Sequence, residues 1–394
     1  MGLGLTRQRT VVTGALGLVL ALPILGCASA GLPEGGPPDA GGPDACASGA
    51  FCDGRTGLCQ TPPVCTATAP CPDALVGVTR TTLTEPITLP ECRTHALARP
   101  AFDDGPPRTW ADAVNGQQRA ACVFEPAGTS AVSPRPLLVF LHGSGGSAEA
   151  IYDNTSLRAK AATFDLGGGP GFILAADQGR NLPPVANGNP ASARHEIYDR
   201  DFATSPDVRN LDRLIDTLVG EGGVDPTRIY LTGWSNGAFF SQLYALVRHQ
   251  TPTPGGNRIA AVAVFDGADP LEPPTSQTPS CAYRPYPASA LPVFIAHRAC
   301  SIVPCDAAQA TDQGAPPGYD VQDWLALLRT TIGATDVTEL LLASNGSVAA
   351  GCATSCPQVE ATLAHLRWPD GVADGSGVDR EPQMLGYLAA HRLP

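Results

Sequence analysis

Gly233-Trp234-Ser235-Asn236-Gly237 is the stretch whose residue types and spacing could do covalent chemistry. The apolar, β-branched run at 229–232 reads as the end of a buried strand. The run that follows (Phe239, Phe240, Leu243, Leu246, Val247) reads as an amphipathic helix. Between a strand and a helix, G-x-S-x-G is the pattern of a nucleophile elbow. The serine occupies a strained turn, the glycines let strand and helix approach, and the helix N-terminus aims N–H groups at a reacting oxygen. Ser235 is therefore the candidate nucleophile. Chance occurrence in a glycine-rich chain is the plain alternative, and the flanking elements argue against it.

An oxyanion must also be held. Leu141-His142-Gly143-Ser144-Gly145-Gly146 follows another apolar run, and glycines there allow backbone N–H groups to turn inward. The expected donors are the backbone N–H groups of Ser144 and Asn236. A phosphate-cradling loop is the competing reading, but the Gly-Lys-Ser/Thr ending is absent. His142 reads as a buttress of this loop.

Elements able to position such groups begin near residue 95. Candidate strands lie at 120–124, 137–141, 172–176, 229–232, 260–265, 293–296 and 359–364, most of them short continuous apolar runs suited to a sheet covered on both faces. Candidate helices lie at 207–219, 236–248, 320–331 and 381–391. Repeating β-α units of this kind imply an α/β, doubly wound, mostly parallel sheet over residues 95–394.

The 394 residues are 43% hydrophobic, enough for one large α/β domain with small additions. A net charge of −12 with no basic stripe excludes nucleic acid as a partner. Arg7 and Arg9 precede an apolar run at 11–25, too short for a comfortable membrane span, which closes on Ile24-Leu25-Gly26-Cys27 and resembles a bacterial lipobox. Residues 1–27 thus read as a lipoprotein signal peptide with Cys27 lipidated, the alternative being a plain signal cut at 28–30. The expected location is the bacterial outer membrane or cell surface, otherwise extracellular, with membrane contact only through Cys27. Residues 28–45 are a Gly/Pro-rich linker. Residues 46–92 carry Cys46, Cys52, Cys59, Cys65, Cys71 and Cys92 and read as a small disulfide-rich segment; a zinc site would need C-x-x-C pairs or histidines that are missing here. Of thirteen cysteines, setting Cys27 aside leaves an even twelve.

Taken together, residues 118–394 resemble the α/β-hydrolase superfamily, and within it the secreted esterases of the polyhydroxybutyrate-depolymerase and feruloyl-esterase-like type. The features that match are Val139-Phe140-Leu141-His142-Gly143, Asp225-Pro226-Thr227-Arg228-Ile229-Tyr230, Gly233-Trp234-Ser235-Asn236-Gly237, His365 before Trp368-Pro369, and the Cys352/Cys356 pair. The resemblance implies hydrolysis of carboxylic esters through an acyl-enzyme, without metal or organic cofactor. It places the base after the last strand, which selects His365 among seven histidines. His249 and His391 end helices that run back from the active edge by roughly 15–20 Å. His95 lies in the linker, His297 reads as a strand-end structural residue, and His195 as a substrate contact.

The acid departs from the pattern. The family reads His-Gly-x-x-Asp-x-x-Val-Pro after its penultimate strand, whereas this chain reads His297-Arg298-Ala299-Cys300-Ser301-Ile302-Val303-Pro304-Cys305-Asp306. Ser301 falls near the aspartate slot, and a serine can hold an imidazole ring but cannot stabilise its charge. Asp306 is the first candidate for a displaced acid, positioned by a Cys300–Cys305 bridge, with Asp266 or Asp269 as runner-up. The expected function is a secreted or lipid-anchored serine esterase acting on polyhydroxyalkanoate, feruloyl or acetyl-polysaccharide esters. The missing aspartate keeps a second reading, a catalytically silent hydrolase fold that binds a partner, and a serine peptidase is the third.

Overall fold

Short apolar runs need cover on both faces of a sheet, and the computed structural model supplies it. It describes residues 51–52, 59–60, 87–112, 116–182, 192–197, 205–270, 286–315 and 319–394. The expected signal peptide with Cys27, the expected linker and most of the cysteine-rich segment lie outside the described residues.

The chain divides into two compact units, Met1–Thr61 and Pro62–Pro394. Of the first, the described part is an antiparallel pair, β1 (Phe51–Cys52) with β2 (Cys59–Gln60). The second opens with β3 (Arg108–Ala111), β4 (Gln118–Phe124), β5 (Arg135–Leu141), α1 (Ala150–Asp153), α2 (Leu157–Ala161) and β6 (Ile173–Asp177). A small hairpin follows, β7 (Arg180–Leu182) with β8 (Ser192–Arg194), and then α3 (Pro206–Gly220), β9 (Val224–Trp234), α4 (Asn236–Gln250), β10 (Ala261–Phe265) and β11 (Val293–Arg298). The remainder is α5 (Ala307–Asp312), α6 (Val321–Leu327), β12 (Val337–Leu342), α7 (Gln358–His365) and α8 (Glu381–Ala389).

Eight strands form one sheet in the order β12-β11-β10-β9-β5-β6-β4-β3, parallel from β12 to β6 and antiparallel at the β4–β3 edge. Alternate side chains go to opposite faces. Leu137, Val139 and Leu141 of β5 join Ile229, Val264 and the helices α3, α4 and α6, while Leu138 and Phe140 join Tyr230, Phe265 and the helices α1, α2 and α8. Helix α3 is amphipathic for a legible reason. Ser205 caps it by accepting the Val208 N–H at 3.3 Å, Pro206 starts it, and Val208, Leu211, Leu214, Ile215 and Leu218 form one buried stripe. Each such side chain contributes about 1.5–3 kcal/mol on burial.

Three expectations change. Residues 359–364 are not a strand. They lie in helix α7, which buries Ala361, Ala364 and His365 at helical spacing and leaves Val359 and Leu363 exposed. The last strand is β12, whose half-buried burial pattern gives it no continuous apolar face to the reader of the sequence. Cys92 is bonded to Cys122 in β4, so the chain already packs on the sheet before residue 95.

The sheet is tightest under α4. A Cβ on Gly237 would lie 2.0 Å from the Leu141 carbonyl oxygen, and one on Gly233 would lie 2.4 Å from that of Gly237. Both atoms are backbone and cannot step aside. Gly237→Ala is expected to destabilise the fold by at least about 3 kcal/mol, read from urea unfolding monitored by tryptophan fluorescence.

Candidate active site

Parallel register brings strand ends together. Trp234, the last residue of β9, pairs with Phe265, the last of β10, and Phe265 pairs with Ala296 of β11. The next residue on each of the first two strands, Ser235 and Asp266, therefore emerges at one edge of the sheet side by side. Both have left-handed backbones, with φ of 54° and 59°, and they are the only non-glycine residues with positive φ among those described. Backbone bonds hold them there. Ser235 N–H donates to Phe265 O (3.2 Å), Phe239 N–H to Ser235 O (3.0 Å), and Asp266 N–H to Ala296 O (2.8 Å).

His365 arrives as the C-terminal residue of α7. Its Nε2 lies 2.7 Å from Ser235 Oγ and its Nδ1 2.5 Å from Asp266 Oδ2. Since Nδ1 faces a carboxylate, it carries the proton, and Nε2 is left to accept from the serine hydroxyl. The His365 backbone is fixed as well, because Trp234 Nε1 donates to its carbonyl at 2.7 Å. A serine on a strand-to-helix elbow, a histidine and an aspartate thus converge at the carboxyl edge of a parallel sheet. The fold is that of an α/β-hydrolase.

The fold brings together Ser235, His365 and the runner-up Asp266, and it does not bring Asp306 to them. Asp306 is the N-cap of α5, accepting the Gln309 N–H at 3.0 Å. Cys300 and Cys305 are not bonded to each other but to Cys356 and Cys352. Asp269 takes the Tyr286 hydroxyl instead. Ser301, in the slot where the resembled esterases have aspartate, donates to Asp266 Oδ2.

A cleft of about 600 Å³ opens over these groups. Its lining includes the Gly143–Ser147 loop and the apolar Trp234, Phe239, Ile302 and Leu366. Ser144 and Asn236 both face this cleft with Ser235, and as the first residue of α4 Asn236 has an N–H without an intrahelical acceptor. The Asn236 side chain is clamped at both ends. Its Oδ1 accepts the His195 N–H (2.8 Å) and its Nδ2 donates to His195 O (2.9 Å). That corrects the expectation for His195, whose buried ring stacks on Phe240 and meets Asp177 rather than substrate.

His142 supports the loop from beneath. It donates from Nδ1 to Gly143 O (2.7 Å) and accepts the Gly179 N–H at Nε2 (3.0 Å). Burial, with a smaller contribution from His195, pushes its pKa down from 6.5 to about 3, so the ring is neutral at working pH. His297 meets Glu339, His249 the Ile259 carbonyl, and His391 Asp336 and the Tyr387 carbonyl, so each is engaged in the scaffold. Among the described residues no group of three or more His, Cys, Asp or Glu side chains is arranged to hold a metal ion, and no helix is long and apolar enough to cross a membrane.

No family model matches the chain. A protein of Nocardia uniformis subsp. tsuyamanensis named "Putative esterase NocK" is 30% identical over 177 residues, 41% of this chain and 48% of its own; the chain thus spans about half the length of the curated relative it matches. Similar solved structures include a thermostable esterase (14% identity, TM-score 0.41, covering 74% of this chain and 64% of that one) and Thermogutta terrifontis esterase 2 in its apo form (15%, TM-score 0.39, 62% and 85%).

Two outcomes follow for the scaffold. The unfolded chain protonates His142 near 6.5, whereas the folded protein resists to about 3. The ring's contribution to stability is therefore complete above pH 6.5 and is lost as pH falls toward 3. In urea titrations, the stability gap between the wild type and His142→Asn is expected to narrow by about 3 kcal/mol between pH 7 and pH 4. Asp306→Ala is expected to lower stability by about 1 kcal/mol through loss of the α5 cap and to leave kcat unchanged.

Proposed function

We propose that this hydrolase is a serine esterase, with Ser235 as nucleophile, His365 as base and Asp266 as acid. The observation that carries the reading is the continuous relay from Ser235 Oγ through both ring nitrogens of His365 to Asp266 Oδ2. His365 removes the Ser235 proton as the hydroxyl attacks the ester carbonyl, and the backbone N–H groups of Ser144 and Asn236 hold the oxyanion. His365 then protonates the leaving alcohol. Water repeats the sequence at the acyl-enzyme and releases the acid. The Asp266 carboxyl orients the His365 ring and stabilises the imidazolium that forms.

The silent-hydrolase reading rested on a missing aspartate, and the Asp266 carboxylate at 2.5 Å from His365 Nδ1 supports the catalytic reading over it. The names of NocK and of the structural relatives support an ester as substrate. The apolar residues in the cleft lining, among them Phe239, Ile302 and Leu366, suit an acyl group of polyhydroxyalkanoate or feruloyl type. Export, with lipidation at Cys27, agrees with disulfides Cys92–Cys122, Cys300–Cys356 and Cys305–Cys352, which persist in oxidising compartments.

A fluorophosphonate probe is expected to add covalently to Ser235, located by peptide mass spectrometry, and p-nitrophenyl acetate turnover to fall about 10⁵-fold in Ser235→Ala. Unlabelled wild type, or a Ser235→Ala variant with full turnover, would refute the assignment.

A further inference from the structure

Asp266 Oδ2 receives two donors, His365 Nδ1 and Ser301 Oγ, while Oδ1 has no hydrogen-bond partner among the described residues. A carboxylate held at one oxygen only is free to swing about χ2 unless a second group fixes that oxygen. Ser301 is fully buried, its Oγ lies 3.4 Å from His365 Nδ1, and it accepts the Val303 N–H at 3.3 Å, which leaves its proton for Asp266. The Ser301 loop is itself rigid. Gln313 Nε2 donates to Ser301 O (2.8 Å), Gln309 Nε2 to Ala299 O (2.6 Å), and Cys300–Cys356 and Cys305–Cys352 tie both its ends to the segment that leads into α7.

Resting on the esterase reading, we propose that Ser301 is a positioning residue whose hydroxyl aligns Asp266 Oδ2 with His365, and that position 301 is a second place from which a carboxylate can support the ring. An ordinary buried serine satisfies its own hydroxyl. This one touches both partners of the His365–Asp266 hydrogen bond, and a side chain one atom longer at 301 would reach Nδ1 directly.

The test is steady-state hydrolysis of p-nitrophenyl acetate by the full chain. Ser301→Ala is expected to lower kcat about tenfold, the loss of one charge-assisted hydrogen bond, with KM within about twofold, and Ser301→Thr to restore it. Asp266→Asn keeps the left-handed backbone, which asparagine tolerates, and is expected to lose about 10⁴ in kcat. Adding Ser301→Asp to that variant is expected to recover at least about tenfold. Equal rates in Ser301→Ala and Ser301→Thr, or a folded double variant no faster than Asp266→Asn, would overturn the proposal. A readout independent of turnover is the low-field proton NMR signal of the His365–Asp266 bond, expected in wild type and Ser301→Thr and displaced in Ser301→Ala. An undisturbed signal in Ser301→Ala refutes the positioning role even if the esterase reading holds. A displaced signal in a chain that hydrolyses no ester supports that role while refuting the esterase reading.

Discussion

Two neighbouring parallel strands end in register, and the residue after each turns left-handed; the chemistry of this molecule depends on that coincidence. A positive φ on a residue with a side chain is strained and persists only where the surroundings over-determine it. Here the surroundings are backbone. Ser235 is held by the Phe265 carbonyl and Asp266 by the Ala296 carbonyl, so the strain at each position is fixed by the same β9–β10–β11 ladder. The distance between Ser235 and Asp266 is set by the spacing of sheet strands rather than by loop conformation. Only the imidazole has to be brought from elsewhere.

That delivery is where the molecule spends its cross-links. His365 ends a helix rather than a strand, and a short helix with an exposed apolar side has little packing to hold it. Two disulfides anchor the segment before α7 to the loop after β11, and Trp234 Nε1 anchors the helix end to the elbow through the His365 carbonyl. Trp234 thus serves both ends of the relay: it immediately precedes the serine and grips the backbone of the histidine. Its ring in turn meets Trp368, which packs on Phe140 and Phe265.

Much of this was legible in the sequence, for reasons that differ by element. Six strands were visible because burial on both faces demands continuous apolar runs, and the elbow because glycines at 233 and 237 are demanded by backbone contacts that no side chain could survive. The lengths of α3 and α4 followed from their apolar stripes. Helix α7 was misread because Val359, Ala361 and Leu363 alternate with polar residues, a strand-like pattern, whereas the buried set is Ala361, Ala364 and His365. The acid was sought after the penultimate strand on family resemblance, and that search led to Asp306. The signal for Asp266 was present nonetheless: an aspartate directly after an all-apolar strand, β10, adjacent to the elbow strand. Aspartate is among the few residues that adopt the left-handed turn such a position requires. Disulfide pairing was beyond reach, since spacing alone does not choose among partners.

The far side of the cleft depends on a more distant constraint. Asn236 presents its backbone N–H as the first residue of α4, and its side chain is pinned to the backbone of His195, which lies in a segment with little apolar content of its own. What fixes that segment is buried charge. Asp207 accepts the Glu196 N–H at 2.8 Å and is flanked by Arg119 and Arg180. Burial opposes ionisation of Asp207, but the two guanidiniums hold its carboxyl well below the usual carboxylate range. Removing one member of such a cluster leaves the others charged and unsolvated, a penalty of about 3–5 kcal/mol, so the network has no cheap alternative arrangement. Apolar packing could stabilise the region equally well, yet it would not specify which backbone atoms face Asn236. A charge network with directional bonds does, and the side chain beside Ser235 is thereby held by residues that do not line the cleft.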